Sequence, residues 1–144
     1  MKRAAGLVLA VILPLRLSAQ DSPPAHILLL HSPPHAVLND RPYRIDFIVE
    51  MDTIAVESVS LFYMTNTGLT FRELDMPGAY NRHYAVLPSA ELQGDSLTYF
   101  FLVTTDGFGL WGYPSTGKGG IAPIVRALVP PTQGYFEREF RGRP

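Results

Sequence analysis

Between residues 25 and 129, apolar and polar residues alternate in short runs, and each run stops at proline, glycine, asparagine or aspartate. A period of two puts neighbouring side chains on opposite faces of an extended chain, so the pattern predicts β-strands with one dry and one wet face. The clearest run is Tyr43–Met51, where Tyr43, Ile45, Phe47, Val49 and Met51 share one face and Arg44, Asp46 and Glu50 the other. Ile48 alone breaks the alternation. Residues 56–64 repeat it, with Val59, Leu61 and Tyr63 against Ser58 and Ser60. Further strands are predicted at 26–32, 70–76, 81–87, 110–113 and 121–129, the fifth-decade turn being Asn39-Asp40-Arg41-Pro42 and the others including Asn66-Thr67-Gly68, Pro77-Gly78 and Asp106-Gly107-Phe108-Gly109.

Residues 97–104 differ from the rest. Leu97, Tyr99, Phe101 and Val103 fill one face and Phe100 and Leu102 the other, which predicts a strand at the centre of its sheet. Pro33-Pro34 closes the first strand, since consecutive prolines donate no ladder hydrogen bonds. No helical period appears beyond a single turn at 89–92. About seven short strands at this spacing predict one all-β domain over 25–129, a Greek-key sandwich. Leu92 and Gly94 just ahead of a strand with an early tyrosine match the tyrosine corner of such folds, so Tyr99 is assigned a structural role between the sheets.

The succession His31-Ser32-Pro33-Pro34, Arg41-Pro42-Tyr43-Arg44-Ile45, Val59-Ser60-Leu61-Phe62-Tyr63, Tyr84-Ala85-Val86-Leu87-Pro88, Leu97-Thr98-Tyr99-Phe100-Phe101 and Thr105-Asp106 resembles the fibronectin type III or immunoglobulin-like modules of bacterial secreted and cell-envelope proteins. The resemblance spans 25–129 and implies an immunoglobulin-like, non-catalytic module that acts as a spacer, an adhesion unit or a docking domain. It rests on apolar spacing and turns, so it bears on fold more than on function.

The N-terminus changes the picture of where the domain works. Lys2 and Arg3, an apolar run over 4–13, and Leu17-Ser18-Ala19 before Gln20 read as a signal peptide, 1–19, cut after Ala19. An uncleaved anchor is the rival, but a span needs roughly 20 apolar residues and Pro14 and Arg16 end this run early. The expectation is a periplasmic or secreted protein with no membrane span once the signal is removed. What remains carries 9 basic and 13 acidic residues, net −4, without the basic stripe a nucleic-acid partner requires. With no cysteine, it has no disulfide and must be held by its core.

Candidate chemistry is sparse. Gly112 to Lys118 fits G-x-x-x-x-G-K, yet Gly119 stands where a phosphate loop needs Ser or Thr, and Gly119, Gly120 and Pro123 oppose the helix that must follow. His26, His31 and His35 are near in sequence and His83 is a fourth imidazole, but Pro33-Pro34 prevents a helix that would pair His31 with His35. Asp46 and Glu50 read as solubilising groups on a wet face, and no serine sits in a nucleophile elbow. The expectation is no catalytic residue, no metal and no cofactor.

Aromatic residues are the better candidates for binding. Phe108, Trp111 and Tyr113 gather at the last hairpin, and the tail 130–144 alternates charge with Tyr135, Phe136 and Phe140. Loop and hairpin tips are where sandwiches place recognition residues. The sequence therefore predicts a module that binds an envelope or secreted protein as part of a larger assembly, with polysaccharide binding through Trp111 and Tyr113 as the alternative.

Overall fold

A computed structural model describes residues 26–132. The predicted signal 1–19 and the tail residues Tyr135, Phe136 and Phe140 lie outside that range. Two sheets form, as the alternation predicts. The first holds β1 (Ile27–Leu30), β3 (Tyr43–Met51), β7 (Arg82–Leu87) and the two-residue β6 (Gly78–Ala79), ordered β1-β3-β7-β6 and antiparallel. The second is ordered β2 (Ala36–Leu38), β10 (Ile124–Val129), β8 (Ser96–Thr105), β4 (Val56–Thr65) and β5 (Arg72–Asp75). A further strand, β9 (Gly109–Tyr113), also pairs with β8. The chain changes sheets after β1, β2, β3, β5 and β7.

Each sheet turns its apolar face inward. Ile45, Phe47 and Val49 of β3 meet Leu61 of β4 and Tyr99, Phe101 and Val103 of β8 in one buried core. At its centre the ring of Phe47 stacks on that of Phe101, with centroids 4.2 Å apart and planes within 7°. This contact joins the two layers directly. Burying such a ring stabilises the domain by a few kcal/mol, on the order of 3–5 when truncation to alanine leaves a cavity.

The runs predicted at 110–113 and 121–129 form two strands along one flank of β8, separated by residues 114–123: β9 pairs with Phe101 to Thr105, and β10, which begins only at Ile124, pairs with Ser96 to Tyr99. β2, wedged between two proline turns and too short to show a period, pairs in parallel with the far end of the chain at Ala127 to Val129. On β7 the side carrying Tyr84 and Val86 faces out, because Ala85 and Leu87 fill the core. Arg44 covers the outward ring of Tyr84 at 4.3 Å from its centroid.

Tyr99 is wholly buried, and its hydroxyl crosses the sandwich instead of bonding the turn behind it. It lies 2.9 Å from Nε2 of His31, whose Nδ1 lies 2.7 Å from the carbonyl oxygen of Asp46. A carbonyl can only accept, so Nδ1 carries the proton, Nε2 accepts, and Tyr99 donates. The turn ahead of β8 is fixed by Asn66, whose Oδ1 accepts the amides of Asp95 and Ser96 at 2.8 and 3.3 Å. Gly94 there has φ +107°, and a Cβ at this position would overlap Asn66 Oδ1.

Burial is the main cause that depresses the His31 pKa below 6.5; the Arg126 charge adds to it, while the Asp46 carbonyl and carboxylate act the other way. Burial also pushes the neighbouring Tyr43 up to about 12 and raises Tyr99. A group whose folded pKa is depressed contributes stability that is complete above its unfolded pKa and is lost as pH falls below it. The urea midpoint is therefore expected to hold between about pH 8 and 7 and to fall from about pH 6.5 toward 5.5, the histidine range. His31→Gln flattens that fall, and a profile unchanged by the substitution refutes the assignment. Tyr99→Phe, which leaves Nε2 unpaired, is expected to cost about 1–3 kcal/mol in the same measurement.

Candidate functional site

Trp111 and Tyr113 lie opposite Val103 and Phe101 in the β8–β9 ladder, so both side chains take the inner side of the sheet. Tyr113 is half-buried against Phe47 and Phe101, with centroid distances of 5.4 and 6.1 Å. Trp111 keeps 37% of its surface exposed. The reason is the position of β9, at the margin of its sheet beside β1, which is itself the margin of the other. Between these two margins runs a groove of about 630 Å³, walled by Ile27 and Leu29 on one side and by Leu110, Trp111, Tyr113 and Ile121 on the other. Among the described residues β1 pairs only with β3 and β9 only with β8, so each turns one row of backbone groups to the sheet margin.

The groove brings together two of the predicted aromatic residues and adds Ile27, Leu29 and Ile121, which periodicity marked only as strand residues. Phe108 belongs to a one-turn 3-10 segment, Asp106–Phe108, that leads into β9. The predicted binding residues Tyr135, Phe136 and Phe140 lie outside the described residues.

Residues 114–123, which contain the phosphate-loop-like sequence, close on themselves. Thr116 donates its amide to the Gly120 carbonyl at 2.9 Å, Ser115 bridges to Ile121, and Gly117 and Gly119 take φ +74° and +78°. Strand β10 follows, so no helix N-terminus faces the loop. Ile121 then folds over Gly112, where a Cβ would meet its side chain at 2.7 Å. The glycine thus serves close packing.

A second apolar surface lies on the outer face of the larger sheet. The strand predicted to be apolar on both sides is central, as expected, but no further layer among the described residues covers its second face. Phe100 stands opposite Phe62 in the β4–β8 ladder, and their rings stack at 5.1 Å with planes within 5°. Phe71 meets Phe100 edge-on at the same centroid distance. Leu102 continues the stripe toward Leu110, which is 65% exposed. The stacked rings stand face to face across the strands, so they turn edges outward instead of a flat platform. Such edges suit packing against another protein better than stacking on a sugar.

The histidines do not converge as a group. His31 bonds Tyr99 and the Asp46 carbonyl, and Nδ1 of His83 donates to the Met76 carbonyl at 3.0 Å. Neither a protein-family model nor a curated protein matches the chain. Function is therefore read from the geometry.

Stability and surface roles separate by position. Phe101→Ala is expected to cost about 3–5 kcal/mol, whereas Leu110→Ser, on the open face, is expected to stay within about 0.5 kcal/mol. Urea denaturation of the two variants checks this; a large loss at Leu110 would make the outer stripe part of the core.

Proposed function

We propose that the protein is an exported, non-catalytic sandwich module that binds an envelope or secreted protein, as a subunit or accessory of a larger assembly. One observation carries this reading: the apolar stripe Phe71–Phe100–Phe62–Leu102–Leu110 crosses the outer face of the larger sheet and reaches the margin where the Trp111 groove opens. A monomer gains nothing in stability from exposing so much apolar surface, and a partner that covers it gains the transfer energy of that area. The two unpaired strand margins beside the groove suit an extended segment of the partner, which would add main-chain hydrogen bonds to the apolar contact. The kinship to fibronectin type III and immunoglobulin-like modules belongs to the same proposal, as does export through residues 1–19.

Polysaccharide binding in the groove is the second reading, favoured by the half-exposed Trp111 indole beside Tyr113. The two readings part at different residues. A photo-crosslinking side chain at Leu110 is expected to yield a protein adduct in cells, one at Glu57 is not, and Phe71→Ser is expected to reduce the Leu110 adduct without changing the urea midpoint. If no adduct forms at Leu110, and Trp111 fluorescence shifts with added polysaccharide, the second reading replaces the first.

A further inference from the structure

The margin strand β1 carries a cluster that neither reading uses. His26 precedes β1, and its carbonyl accepts the amide of Asp52 at 3.2 Å, so the two residues face each other across the ladder. The register pairs Ile27 with Met51 and Leu28 with Glu50, which puts His26, Glu50 and Asp52 on the same outer face. One imidazole nitrogen and one oxygen from each carboxylate all lie within 4.8 Å of one another. None of these three side chains has a hydrogen bond or ion pair with another described residue. It is the one such group of metal-ligating side chains among the described residues.

We propose that His26, Glu50 and Asp52 bind a divalent transition-metal ion of the zinc class. Two carboxylates two residues apart on one face repel each other, and no nearby cation pairs with them; a bound dication relieves that repulsion. The imidazole selects the ion. Calcium and magnesium take oxygen donors, whereas mixed nitrogen and carboxylate sets suit zinc and its first-row neighbours. Zinc bonds these atoms at about 2.0–2.2 Å, so neighbouring donors in its shell lie roughly 3.4 Å apart. His26 and Asp52 are exposed and Glu50 is half-buried, so small rotamer adjustments bring them to that spacing.

Three protein ligands leave at least one coordination position for water or for a donor from a partner. The ion would also tie the residue just before the margin strand β1 to β3. Since Ile27 and Leu29 of that strand wall the groove, the site would steady one side of it. The metal site itself does not depend on the proposed function; only this last coupling does.

Calorimetric titration of the untagged protein with zinc chloride tests the site. The expected result is one saturable equivalent with a dissociation constant below about 0.1 mM, the tight end for ion sites of extracellular modules. Magnesium should give no saturable heat. His26→Ala is expected to weaken zinc by about tenfold or more, at least what loss of an outer-shell group costs a metal site. Glu50→Gln should also weaken it, and Asp75→Asn, an exposed carboxylate on β5, should not. All are surface substitutions, and unchanged urea midpoints without metal will show that folding is intact. No saturation with the parent protein, or a loss under tenfold in His26→Ala, overturns the proposal. Zinc binding with no effect on the Leu110 adduct would leave the site standing and remove only its link to the groove.

Discussion

The contact of Phe47 with Phe101 is the constraint on which the remaining architecture turns. The chain has no cysteine, so no disulfide clamps the two sheets together. They adhere because each presents one apolar face and because the largest rings of the two faces meet at 4.2 Å. A one-residue slip of β3 or β8 would move every inward side chain to the water side. Register, layer spacing and the placement of Tyr99 two residues before Phe101 all follow from that meeting.

His31 and Tyr99 add specificity to this adhesion more than strength. Their hydrogen bond joins the segment after β1 to β8, and the bond from His31 to the Asp46 carbonyl attaches the same segment to β3. A net hydrogen bond contributes only about 1 kcal/mol, but a buried partner left unpaired costs more. The arrangement thus penalises alternative packings in which the ring of His31 enters the core without its two partners.

Much of the fold was legible in the sequence, and the reasons for what was not are physical. β3 and β4 declared themselves through alternation, interrupted by Ile48 in one and by Phe62 in the other, and the proline and glycine turns set their limits. β2 was silent because three residues are too few to show a period and their partner is some ninety positions away along the chain. The two apolar faces of β8 were visible, yet periodicity cannot tell a covered face from an open one. The inward turn of Trp111 and Tyr113 depends on their register with Val103 and Phe101. Histidine spacing put His26 beside His31 and His35, whereas His26 gathers with Glu50 and Asp52 through a cross-strand register that spacing cannot show.

The parallel pairing of β2 with β10 has a consequence for how the molecule is made. Residues 36–38 leave the ribosome some ninety residues ahead of their hydrogen-bonding partners at 127–129. Closing so long a loop is slow and costs entropy before any contact rewards it. A growing chain that has not reached Ile124 leaves half of β8 with a bare flank, so the larger sheet is completed only after nearly the whole described length exists. The larger sheet is thereby built to stay open until late, and its closure is a long-range event however fast the local hairpins form.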